Sequence, residues 1–180
     1  MIYFTADLRF YHDKVIQHVN RPFPNAEKMN QVLIENWNRK VGAADEVYIL
    51  GDVTMKGASY ATEALSRLKG RKYLVKGNHD RFAEQKEFDK YIFEWIKDYH
   101  ELKYQNNEFI LFHYPIEEWK GFYRGAFHLH GHQHNHADYN YRNLEQGIRR
   151  YDVGVDANNM CPVSIEEILE FFAMGEELRQ

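Results

Sequence analysis

The chain has 180 residues, 44% hydrophobic and 16% aromatic, which is enough apolar material for a globular core and too much for a disordered chain. Its formal net charge of −4 argues against a dedicated binder of long DNA or RNA, yet leaves room for a small phosphorylated substrate whose charge a metal ion would meet. No apolar run approaches the ~18 residues of a membrane span; the short apolar start Ile2 to Phe4 does not read as a leader, and with Cys161 as the single cysteine the expected setting is the reducing cytoplasm, with no membrane partner.

Ile2-Tyr3-Phe4-Thr5 reads as a first strand. A helix comes next, with Asn25 as its N-cap and Met29, Leu33, Trp37 and Val41 along one stripe. Val47 to Leu50 gives a second strand. A helix over about 59–69 turns Ala61, Leu65 and Leu68 inward and stops at Gly70. Lys72 to Val75 is a third strand. The second half is richer in strands: His100 to Tyr104, Phe109 to Phe112, Ala126 to Leu129 and Arg150 to Val155, with Asn106-Asn107 as a tight turn. The last helix opens on a capping box, Ser164 to Glu167, and buries Ile165, Ile168, Leu169 and Phe172. Apolar runs alternating with helical patterns predict an α/β fold, and the lack of linkers or repeats predicts one domain over 1–180.

The chemistry lies just past the end of each strand. Asp7 comes after the first, Gly51-Asp52 after the second and Gly77-Asn78-His79-Asp80 after the third; His113 comes after the Phe109 strand and Gly131-His132-Gln133-His134 after the Ala126 strand. Sites in α/β sheets form at the carboxyl ends of strands. Five such ends each deliver a carboxylate, amide oxygen or imidazole suited to a divalent metal. Any one has an ordinary explanation: Asp7 and Asp52 as helix caps, Gly77-Asn78 as a turn, His113 as a packed histidine. Their joint order makes those explanations improbable. The alternation of His128, His130, His132, His134 and His136 would place all five on one face of a strand, and for His128, His130 and His136 a solvated or adventitiously metal-binding stripe is the better reading.

This order of motifs resembles the calcineurin-like metallophosphoesterase superfamily, whose pattern is Asp-x-His, Gly-Asp, Gly-Asn-His-Asp/Glu, a lone His and Gly-His-x-His. The His113-Tyr114-Pro115 segment, Trp119, His128 to His132, and the stretch Tyr151 to Asp156 before Pro162 resemble its small single-domain bacterial and phage members. The resemblance implies an α/β fold layered as an α-β-β-α sandwich. It also implies hydrolysis of a phosphate ester by metal-activated hydroxide, with no covalent phosphoenzyme. One or two divalent ions would serve, Mn2+ first and Fe, Zn or Ni after it. Asp52 would bridge two metals, Asn78, His113 and His132 would complete the second site, and Asp7 and His134 would belong to the first. His79 would be the general acid, with Asp80 orienting it. The absence of an obvious cap favours a phosphodiester or cyclic nucleotide over a monoester.

One position departs from the pattern. Arg9 stands where the family has the His of Asp-x-His, and a guanidinium has no lone pair for a metal. Three consequences are open: His12 substitutes as a ligand, Arg9 grips the phosphate or Asp7 and leaves one metal, or the site has decayed into a binding or scaffold module. The aromatic cluster Tyr114, Trp119, Phe122, Tyr123 and Phe127 reads as core or a loop anchor, or else as a lid that stacks a flat leaving group, with Arg124 solvated within it.

Overall fold

In β1 (Ile2–Thr5) and β2 (Glu46–Ile49) successive side chains enter two different cores. Tyr3, Val47 and Ile49 pack on one side, while Phe4, Tyr48 and the adjoining Leu50 pack on the other. A strand buried on both faces reads as an unbroken apolar run, and that pattern belongs to parallel sheets covered on both sides. The computed structural model, which describes residues 1–177, shows two such sheets flanked by helices.

The first sheet has the order β4-β3-β2-β1-β9, with β3 (Arg71–Val75) and β4 (Phe93–Lys97) parallel to β2 and the short β9 (Val163–Ser164) antiparallel to β1. The second has the order β5-β6-β7-β8, from β5 (Tyr99–Tyr104), β6 (Asn107–Phe112), β7 (Phe127–His130) and β8 (Arg150–Asp152). Only the β5–β6 hairpin in it is antiparallel. Phe109, Leu111, Phe127 and Leu129 face Phe4, Tyr48, Leu50 and Val75 between the sheets.

The outer face of the first sheet carries α1 (Asp13–His18), α2 (Ala26–Lys40) and α3 (Ala58–Ser66). Asn25 caps α2 by accepting from the Lys28 N–H at 2.9 Å, and Met29, Leu33, Trp37 and Val41 are all buried. On the other side, α5 (Ile165–Glu177) adds Ile165, Ile168 and Phe172 to the intersheet core, and α4 (Ala137–Glu145) packs on β8. The capping box forms reciprocally: the Glu167 N–H donates to Ser164 Oγ at 3.1 Å, and the Ser164 N–H to Glu167 Oε2 at 2.7 Å.

Four expectations need correction. The hairpin turn is Gln105-Asn106, one residue earlier than Asn106-Asn107, and Gln105 takes the positive φ of 51°. The third helix stops at Ser66, and Gly70 (φ 86°) shapes the entry to β3 instead of ending the helix. The strand expected over 150–155 ends at Asp152, whose Oδ1 accepts from the Gly154 N–H and folds the chain into a 3-10 turn. Finally, the histidine stripe does not form: β7 ends at His130, and His132 (φ 74°) and His134 (φ 51°) leave the alternation.

Candidate metal centre

The carboxyl ends of β1, β2, β3, β6 and β7 converge at one end of the two sheets. Backbone strain gathers there, because Asp7 (φ 56°), Arg9 (φ 54°), Asp52 (φ 59°), His132 and His134 are all left-handed without being glycine. Such conformations persist where the surroundings over-determine them, as at ligand clamps. Two glycines make the crowding possible. A Cβ on Gly51 (φ 92°) would strike His113 Nδ1 and the Gly77 backbone, and one on Gly77 would strike the Asp52 carboxylate.

Four side chains bring donors together. His113 donates from Nδ1 to the Leu50 carbonyl at 2.7 Å, so the neutral ring keeps its lone pair at Nε2. That lone pair faces Asn78 Oδ1 at 3.1 Å and Asp52 Oδ2 at 3.6 Å, both of them oxygens. His132 Nδ1 is buried with no partner, and one ring nitrogen of His132 lies with the Asp52 and His113 donors in a group no more than 4.8 Å across. Burial lowers the pKa of both imidazoles, which keeps them neutral and able to ligate. Lone pairs turned toward one another repel, and a cation among them removes that repulsion. The set of one carboxylate, one amide oxygen and two imidazoles fits a borderline divalent ion.

Asp52 is held by its neighbours. Its Oδ1 accepts from the His79 N–H at 3.0 Å. Asp80 does not orient the His79 ring as expected. Its carboxylate is taken up by three main-chain N–H groups, those of Asp52, Val53 and Gly77, each at 2.8 Å. It therefore latches the loop after β3 to the loop after β2, and burial raises its pKa to about 6 against those three bonds. The His79 ring is half-buried and makes no side-chain hydrogen bond among the described residues; Asn78 beside it is exposed.

The other half of the expected site is arranged differently. Asp7 is fully buried; its Oδ2 accepts from the His132 N–H at 2.8 Å and its Oδ1 has no partner. Burial, then the nearby Asp152 and Asp52, raise its pKa well above the usual carboxylate range. His134 donates from Nδ1 to Asp156 Oδ2 at 2.8 Å, and Arg21 grips both Asp156 oxygens at 2.8 Å while donating to the Asp7 and Leu8 carbonyls. Arg9 Nη2 lies 2.7 Å from Asp52 Oδ2, so its ion-pair partner is Asp52 and not Asp7. The guanidinium of Arg9 and the imidazole of His113 therefore meet at one Asp52 oxygen. Among the described residues Asp7, His12 and His134 join no cluster of three or more His, Cys or acidic donors.

Arg21 and Asp156 carried no assigned role in the sequence. They are 135 residues apart, and no local pattern around Arg21 marks a buried arginine. His128 and His130 are not the solvated stripe their alternation suggested: both are fully buried and bonded within the protein. His128 donates from Nδ1 to the Ile110 carbonyl and accepts at Nε2 from the Ile116 N–H, while His130 meets the Gly131 carbonyl and the Tyr139 hydroxyl. Of the aromatic cluster, Trp119 anchors its loop through the Ala126 carbonyl and Phe127 enters the core. Tyr114 flanks the site, its ring 4.6 Å from that of His132.

Comparison with known proteins agrees with this geometry. The calcineurin-like phosphoesterase family matches residues 2–157. The uncharacterized protein MJ1445 of Methanocaldococcus jannaschii is 34% identical over 99% of this chain and 94% of its own length. The Gene 66 protein of Mycobacterium phage D29 is 39% identical over 44% of this chain and 40% of its own length. Among solved structures, a protein of unknown function from Aquifex aeolicus, AQ665, superposes with a TM-score of 0.74 at 27% identity, covering 94% of this chain and 98% of that one. The strand-end ligands and the two flanked sheets therefore have one explanation: the chain belongs to the calcineurin-like phosphoesterase family.

Proposed function

We propose that the chain is a metal-dependent hydrolase of small phosphate esters, preferring a phosphodiester or cyclic nucleotide to a monoester, with His79 as general acid. The observation that carries this is the His113 lone pair turned toward the oxygens of Asn78 and Asp52, with a ring nitrogen of His132 in the same cluster. A divalent ion bound there would polarise a phosphoryl oxygen and lower the pKa of a coordinated water. Manganese is the first ion to try, because it suits a mixed oxygen and imidazole set.

The chain's own residues do the rest. Asp52 is locked by the His79 main chain, so the ring of His79 is tied to the metal ligand next to it. That ring lies at the rim without a competing bond, placed to give a proton to the leaving oxygen. The exposed Asn78 and half-buried His79 make an open rim, which supports a substrate esterified on both sides. The net charge of −4 supports a small phosphorylated molecule over a long nucleic acid, and the lone cysteine supports a cytoplasmic setting.

The test is hydrolysis of bis-p-nitrophenyl phosphate against p-nitrophenyl phosphate by manganese-loaded protein. Faster diester turnover is expected, with His79→Ala lowering kcat by roughly 10²–10⁴-fold at unchanged metal content. A monoester preference would overturn the substrate assignment. Metal-loaded protein that turns over no mono-, di- or cyclic phosphate would favour the other reading, a binding or scaffold module, for which the Arg9–Asp52 pair is the supporting observation.

A further inference from the structure

A family pattern of two ions meets, in this chain, a donor set that serves one. Asp52, His113 and His132 gather with Asn78 on one side of the site. The Asp52 Oδ2 that lies 3.6 Å from His113 Nε2 also lies 2.7 Å from a guanidinium, that of Arg9. The Arg9 side chain is only 9% exposed and Asp52 is fully buried, so the pair is a desolvated charge contact and not a surface one. The backbone fixes it further: the Arg9 N–H donates to the Asp52 carbonyl at 3.1 Å, and the His12 N–H to the Arg9 carbonyl at 3.2 Å. An ion beside His113 already shares Oδ2 with this fixed positive charge, and a second divalent ion bridged by Asp52 would crowd a third cation onto the same carboxylate oxygen.

The remaining candidates do not repair the loss. His12 Nδ1 is buried without a partner, yet His12 joins no donor cluster among the described residues, and neither do Asp7 and His134. His134 is held by Asp156, which is itself locked by Arg21. The surroundings of that half-site are thus kept in order around Arg9, which argues against simple decay.

We propose that this chain works with a single divalent ion, held by Asp52, Asn78, His113 and His132, and that the Arg9 guanidinium stands permanently in place of a second. Arg9 holds Asp52 Oδ2 and supplies the phosphate with the positive charge a second ion would bring. This rests on the phosphoesterase reading. It adds that the substitution at position 9 changes the metal count without removing the site.

The test is metal stoichiometry of the full chain titrated with Mn2+, by calorimetry and elemental analysis, with electron paramagnetic resonance to separate an isolated ion from a spin-coupled pair. One Mn2+ per chain with the hyperfine pattern of an isolated ion is expected. Arg9→His should move the count toward two and introduce coupling, while Arg9→Lys, which keeps the charge, should stay at one. Two coupled ions in the unmodified protein would overturn the inference and leave the phosphoesterase reading intact, and this holds even if Arg9→His fails to fold. One ion in folded Arg9→His would also overturn it. No bound metal in any form would overturn both.

Discussion

At the scale of single residues, Asp52 is where the site is decided. Its two oxygens, its N–H and its carbonyl are committed to His79, Arg9 and Asp80, so its position is set by two loops at once. Asp80 carries most of that constraint through three short main-chain bonds made inside the protein. Asp80→Asn keeps the shape but turns one acceptor into a donor that faces an N–H. Each buried donor left without an acceptor costs about 1–3 kcal/mol. The variant should therefore be less stable by about that amount in urea unfolding, and should bind Mn2+ more weakly because Asp52 is no longer latched. Unchanged stability together with unchanged affinity would mean that the latch is dispensable.

At the scale of elements, β7 shows how far the sequence can be read. Its alternation is visible, and Phe127 and Leu129 do face the core. What the alternation cannot show is that the strand stops at His130, because positive φ angles at His132 and His134 are imposed by contacts with Asp7 and Asp156 from distant segments. The same logic separates the legible strands from the missed ones. β1, β2 and β3 carry near-continuous apolar runs, whereas β4 is a sheet edge with polar Glu94 and Lys97, and β9 has only two residues. The candidate ligands stand out because their chemistry is unusual at strand ends. Arg21 does not, since its partner is remote. Nor does the Arg9–Asp52 pair, because residue type excludes ligation without saying which carboxylate takes the charge. The two histidines left inside β7 carry their own prediction. Burial pushes the His128 pKa down to about 3, and both ring nitrogens are bonded in the neutral form. The unfolded chain binds that proton near the ordinary imidazole value of ~6.5. The unfolded state thus holds more protons between ~6.5 and about 3, and stability falls as pH drops through that window. An NMR titration should show the His128 ring neutral at about pH 5, while urea midpoints decline from about pH 7 to about pH 5. A His128 resonance that titrates near ~6.5 in the folded protein would contradict this.

At the scale of the whole molecule, the centre joins the two sheets. Asp52 and Asn78 come from the ends of β2 and β3 in the first sheet, and His113 and His132 from the ends of β6 and β7 in the second. An ion held by all four would tie one sheet to the other at the end where the apolar core between them gives way to polar loops. The unfolded chain has no such gathering, so metal should bind the folded state and raise its stability by RT ln(1 + [M]/Kd), about 2.7 kcal/mol at a hundredfold excess over Kd. For a chain of this size that corresponds to a Tm increase of about 5–10 °C. Scanning calorimetry with saturating Mn2+ should show the shift, and a chelator should reverse it. Asp52→Asn and His132→Ala should each abolish it, although they sit on different sheets, because the ion needs both. His134→Ala is the informative contrast. It lowers the starting stability by removing one of the bonds to Asp156, which Arg21 still holds, yet if a single ion is held without His134 the metal-induced increment survives. Loss of that increment in His134→Ala would return His134 to the metal and with it the two-ion arrangement.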